Sequence, residues 1–175
     1  MKNNQLINNL HSIYPELSID IHKIKGYSDD ELEKIRCFYD IEIIDQLYYF
    51  LSCMGRCSGG FFDDSSLLFY RHEFSVRNHV QFQIDACENL CIIQQYDLLD
   101  QKPFFFSIES ETQYLYLLTY SDNPNQVYSY DGNKEVIKNT PWDFNNYLKY
   151  LIEKSTRKNI INILKYDFIG ELIEI

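Results

Sequence analysis

Between Pro103 and Asn139 the chain reads as four short strands in quick succession: PFFFSIE (103–109), QYLYLLTY (113–120), QVYSYD (126–131) and EVIKN (135–139). Aromatic and β-branched residues fill them, and SDNPN and the Asp131-Gly132 pair punctuate them as turns. Connections this short join antiparallel neighbours, since a parallel crossover needs roughly a dozen residues or more. The four runs predict an antiparallel meander, and such a sheet must bury its apolar face.

Helical patterns flank it on both sides. Leu6, Ile7, Leu10 and Ile13 recur at helical spacing until Pro15, giving a short helix and a connector over 1–25. In GYSDDELEK, Ser28 is placed to cap a helix with Glu31 closing a capping box, and Leu32, Ile35 and Phe38 or Tyr39 form its buried side. Ile43, Leu47, Phe50 and Leu51 predict a second helix over 42–53, ended by Gly55 in a left-handed conformation. LLFY (67–70) reads as a short strand. Residues 74–92 read mostly as helix, with Val76, Val80, Ile84, Cys87 and Cys91 on one stripe, although HVQFQI (79–84) also alternates as a strand would. After the sheet, Thr140 and Pro141 would start a helix buried through Phe144, Leu148, Leu151 and Ile152, and an amphipathic piece follows at 157–168. The order predicts an α+β fold with N-terminal and C-terminal helices packed on one face of a twisted antiparallel sheet.

A length of 175 residues predicts a single domain, 1–175, with no internal repeat or dividing linker. A net charge of −10 argues against direct binding of nucleic acid, which needs Lys and Arg to neutralise phosphates. It suits a partner with a basic surface, or serves solubility alone. The opening MKNNQLINNLHSIYPEL has no apolar leader and no run reaches the roughly 18 apolar residues of a membrane span, so no membrane role is expected. Five cysteines, an odd number in a chain that needs no staples, suit a reducing cytoplasm.

Several patterns could carry chemistry. Cys53 and Cys57, with Cys87 and Cys91, have a spacing that structural zinc accepts, but the second pair lies on an apolar helical stripe where thiols act as small hydrophobes. His11, His22, His72 and His79 are scattered and no cysteine-protease signature accompanies them. Gly55, Gly59 and Gly60 lack the Lys-Ser/Thr of a phosphate cradle and lead into FFDD, so they predict a turn. Asp63 and Asp64 lie in no recognisable cation loop. No catalytic residue, metal or cofactor is assigned. Along QYLYLLTY, Tyr114, Tyr116, Leu118 and Tyr120 share one face and Leu115 and Leu117 the other; the tyrosine face is either core or a partly open contact surface.

Local stretches resemble the SUKH superfamily of fungal cell-wall regulators and bacterial immunity proteins. YSDDELEKI looks like its opening helix, IIDQLYYFLSCMGRCSGG its second helix with a Gly-containing end, and NQVYSYDG and WDFNNYLKYLI its late strand and aromatic-led helix. The resemblance covers about 26–152 and leaves 153–175 as a C-terminal helical extension. It implies helices around a twisted antiparallel sheet, no shared catalytic residues, and a frequent role in neutralising a cognate toxin, often a nuclease or deaminase. The expectation is a non-enzymatic binding module, an immunity protein that occludes a basic active site; a regulatory or scaffold protein of the same fold is the alternative, and a Cys/His zinc protein or small enzyme a third. Asp63, Asp64, Glu109, Glu111, Tyr114, Tyr116, Asp122 and Tyr130 are the candidate partner contacts.

Overall fold

The strand runs pair in sequence order. β1 (Pro103–Ser110), β2 (Gln113–Leu118), β3 (Gln126–Asp131) and β4 (Val136–Asp143) form one antiparallel sheet, β1-β2-β3-β4. The computed structural model describes residues 2–62, 66–71, 75–156 and 170–173. Around the sheet lie six helices among those residues: α1 (Lys2–His11), α2 (Asp29–Tyr39), α3 (Asp45–Met54), α4 (Val76–Ile92), α5 (Tyr96–Leu99) and α6 (Phe144–Thr156). The architecture is α+β.

Helices cover both faces of the sheet, a correction to the one-sided packing expected above. Phe104, Phe106, Leu115, Leu117 and Val127 point to one side, where Leu10 of α1, Leu32 and Ile35 of α2, Leu47 and Phe50 of α3 and Phe144 and Leu148 of α6 meet them. Phe50 is the hub there, its ring 5.2 Å from Phe69 and edge-on to Phe144 at 5.3 Å. Phe105, Tyr116, Leu118 and Tyr130 point the other way, against Ala86 and Leu90 of α4, with Leu98 and Leu99 of α5 alongside. Antiparallel partners bring rings together on that side: Phe105 faces Tyr116, which faces Tyr128, at 4.8 and 5.6 Å between centroids. Such pairs add to the burial of each ring.

The segment that was ambiguous in sequence is helix α4, and its buried stripe is not the expected one. Val76, His79, Gln83, Ala86 and Leu90 face inward, while Val80 is half-buried and Ile84 and Cys91 are exposed. Two polar residues can occupy a core stripe because each meets backbone groups there. Gln83 donates from Nε2 to the Phe105 carbonyl (2.6 Å) and accepts from the Phe105 N–H (2.9 Å). His79 sits 3.1 Å from the Leu68 carbonyl through Nε2. A carbonyl only accepts, so the imidazole proton is on Nε2.

The capping box is as expected: the Ser28 N–H donates to Glu31 (2.8 Å) and the Glu31 N–H to the Ser28 hydroxyl. Three local expectations fail. LLFY is not a strand; Leu67 makes one isolated bridge to Ser107, and Leu68–Tyr70 is a 3-10 turn with every side chain buried. A continuous apolar run has no alternation to specify a strand, and here Tyr70 spends its hydroxyl on the Met54 carbonyl (2.6 Å). Gly55 is right-handed (φ −60°); it is needed because a Cβ would lie 2.7 Å from the Leu51 carbonyl oxygen. Thr140 and Pro141 start no helix: β4 runs on to Asp143, the Thr140 hydroxyl donates to the Val127 carbonyl (2.8 Å), and Asp143 caps α6 by accepting from the Asn146 N–H (2.7 Å). β4 is an edge strand, where proline is tolerated.

The amphipathic piece at 157–168 lies outside the described residues. Residues 170–173 are not helical. They run along the α2 side of the core, with the Leu172 N–H donating to the Tyr27 hydroxyl and the Tyr39 hydroxyl donating to the Leu172 carbonyl, each at 2.9 Å. Arg56 ties them down, paired with Glu31 (2.8 Å) and with Glu171 and lying over the Tyr27 ring.

Gln83→Leu should keep the volume of the side chain yet strand two buried backbone groups, costing about 2 kcal/mol in urea unfolding; a neutral result would remove Gln83 as the link between α4 and β1. Burial pushes the His79 imidazole down to about 4. The folded state prefers neutral His79, so stability is full above pH 6.5 and falls as pH drops towards 4, by on the order of 3 kcal/mol. Urea midpoints of the wild type should therefore fall more steeply between pH 6.5 and 4 than those of His79→Gln, and parallel slopes would contradict the buried neutral ring.

Candidate functional site

At the end of the sheet where β1 begins and β2 stops, three loops meet. The 119–125 turn is fixed to the α5–β1 loop by the Tyr120 N–H donating to the Gln101 carbonyl (2.9 Å) and by the Thr119 N–H and hydroxyl donating to the Lys102 carbonyl. The α2–α3 loop joins through the Glu42 N–H donating to the Thr119 hydroxyl (3.1 Å) and the Gln46 N–H donating to Asn125 (3.2 Å). Gln46 in turn accepts from the Asn145 N–H (2.8 Å), so α6 is part of the same frame. Backbone and side-chain bonds tie these loops into one rim.

The rim is acidic and partly aromatic. Asp40 and Glu42 come from the α2–α3 loop with Asp45 opening α3, Asp100 from the α5–β1 loop with Asp97 just before it in α5, and Asp122 from the 119–125 turn, with Lys102 the single cation in these three segments. Lys102 is itself neutralised, 3.0 Å from Asp40 and 3.6 Å from Glu42, and the hydrogen bond to Asp40 raises its pKa above the usual lysine value. Its ammonium lies 5.6 Å from the centroid of Tyr120. Tyr120 is 65% exposed, Tyr96 55% and Ile44 45%, so apolar surface is interleaved with the carboxylates. Such a surface can dock a basic protein face, with rings supplying contact area and charges supplying orientation.

The expected contacts fall into separate places. Asp63 and Asp64 lie outside the described residues. Tyr116 and Tyr130 are buried beneath α4 and leave no ring surface to present. Tyr114 is half-buried on the same face and donates its hydroxyl to the Glu111 carbonyl (2.9 Å). Glu109 is half-buried and accepts from the Tyr147 hydroxyl and from Lys154 (3.3 Å), a bond network that also takes in Ser107. Glu111 and Asp122 are exposed, but at opposite ends of β2. Only Asp122 belongs to the acidic rim. Sequence reasoning missed Tyr120 as a surface residue because it was grouped with the strand tyrosines; β2 ends at Leu118, and the adjacent SDNPN turn was the available signal.

Among the described residues no group of three or more His, Cys, Asp or Glu is arranged to hold a metal ion. Cys53 belongs to the core on one face of the sheet and Cys87 packs into the core on the other, so the two pairs do not converge. Burial pushes both thiols up to about 11, which leaves them protonated at neutral pH. His79 is walled in, His11 packs edge-on against Phe61, and His72 lies outside the described residues. No helix among the described residues is long and apolar enough to cross a membrane. Compared with protein-family models, curated proteins and solved structures, the chain matches none.

Proposed function

We propose that the chain is a non-enzymatic protein-binding module, an immunity protein of the SUKH kind that neutralises a cognate toxin by covering its basic active-site cleft. The observation that carries this reading is the acidic, tyrosine-bearing rim at the β1–β2 end, on a chain of net charge −10. The toxin class, a nuclease or deaminase, rests on the sequence resemblance. Both kinds of enzyme work on polyanions, so their clefts are basic and would be attracted to such a rim. Negative charge speeds the encounter, and exposed rings then supply most of the binding energy once water is excluded. The chain acts in the cytoplasm, where such a toxin would meet its substrate.

Co-expression with the product of a toxin-like gene adjacent to its own should protect cells, and the two proteins should co-purify. Raising salt from about 0.05 to about 0.5 M should slow their association at least about tenfold. Tyr120→Ala should speed dissociation about tenfold, the size expected of an interface anchor. Asp122→Lys should slow association severalfold, and Tyr116→Phe should leave both rates unchanged. Protection without complex formation, or rates indifferent to salt and to Asp122, would overturn the reading.

A further inference from the structure

A cavity of about 540 Å³ opens between α2 and α4. Its apolar walls are Phe38, Val76, Val80 and Ile173, and Lys34 from α2 and Arg77 and Gln81 from α4 complete the lining. The displaced buried stripe of α4 accounts for it: because His79 and Gln83 turn inward, Val80 and Ile84 are left on the outer side of the helix. Phe38 is 55% exposed and Ile84, one turn beyond Val80, 46%. Apolar surface is thus left wet around a concave site whose volume is that of a small-ligand pocket.

The charges there run against those of the chain. Five other cations are paired with acids: Arg36 with Glu33, Arg56 with Glu31, Lys102 with Asp40, Lys134 with Asp131 and Lys154 with Glu109. Lys34 and Arg77 make no ion pair or hydrogen bond among the described residues. Of the acids near them in sequence, Glu31 is engaged by Arg56 and Ser28, Glu33 by Arg36 and Asp85 by Gln81, while Asp30 lies one turn before Lys34 on α2. Two cations from separate helices, unpaired among the described residues, therefore reach one cavity with apolar walls.

We propose that this cavity binds an amphipathic organic anion, a small molecule with an apolar body and a terminal carboxylate. The body lies against Phe38, Val76, Val80 and Ile173, and the carboxylate meets Lys34 and Arg77. Pairing alone would be weak at exposed positions, so the apolar contact supplies most of the affinity and the two charges select the sign of the headgroup. The site is distinct from the acidic rim and does not rest on the function proposed for that rim.

Calorimetric titration of the full chain with decanoate, decanol and decylamine tests it. One saturable decanoate site is expected, with affinity at least about tenfold above that for the alcohol or the amine. Lys34→Glu combined with Arg77→Glu should weaken decanoate at least about tenfold while leaving decanol unchanged. Val80→Asp should weaken both, and the circular dichroism and urea midpoint of each variant should match the wild type, which separates loss of the site from loss of the fold. Equal binding of all three amphiphiles, no saturable decanoate binding, or decanoate binding indifferent to the charge reversals would overturn the proposal. So would tighter binding of a peptide of alternating Glu and Leu than of decanoate, which would assign the cavity to an acidic peptide.

Discussion

Phe104, Phe105 and Phe106 are consecutive in β1 and all lie at 0% exposure, which a strand achieves only when both faces of its sheet are covered. β2 is under the same constraint, with Leu115 and Leu117 on one side and Tyr116 and Leu118 on the other. Five elements of the fold answer it: α1, α2, α3 and α6 close one face and α4 the other. Uncovering Phe105, Tyr116, Leu118 and Leu90 would cost roughly 6 kcal/mol or more, comparable with the whole stability of a domain this size. α4 is therefore a structural layer and not a lid.

The same constraint locates the surface that can meet a partner. With both sheet faces closed, Tyr116 and Tyr130 are internal and Tyr114 and Tyr128 half-buried. What remains exposed is the edge where strands end. There the chain leaves β2 at Leu118, turns Tyr120 outward and pairs Lys102 with Asp40 and Glu42 of the α2–α3 loop. Acidic character is spread over the sequence, but the backbone bonds of Thr119, Gln101 and Gln46 make it a surface.

Much of the fold was legible because it is specified locally. Ser28 and Glu31 sit three apart and make the capping box the pattern implies, and the four strands follow from aromatic runs between turn residues. What was not legible depends on distant partners. His79 and Gln83 look like surface residues of α4 until the Leu68 carbonyl and the Phe105 backbone are placed beside them. Without those partners an apolar stripe through Val80 and Ile84 looks like the core. Thr140 similarly looks like a helix cap until Val127 is paired across from it. The candidate surface was legible in its chemistry, acidic and aromatic, but not in its residues, because nothing in Tyr116 and Tyr120 themselves tells which is covered.

Hydroxyl-radical footprinting of the intact protein, resolved residue by residue, tests the two-sided burial most directly. The account predicts that Tyr120 and Tyr96, at 65% and 55% exposure, are oxidised rapidly while Tyr116 and Tyr130 stay protected at 0% and 3%. Oxidation of Tyr116 and Tyr130 at the rate of Tyr120 would show the second face of the sheet open to water, and would contradict it.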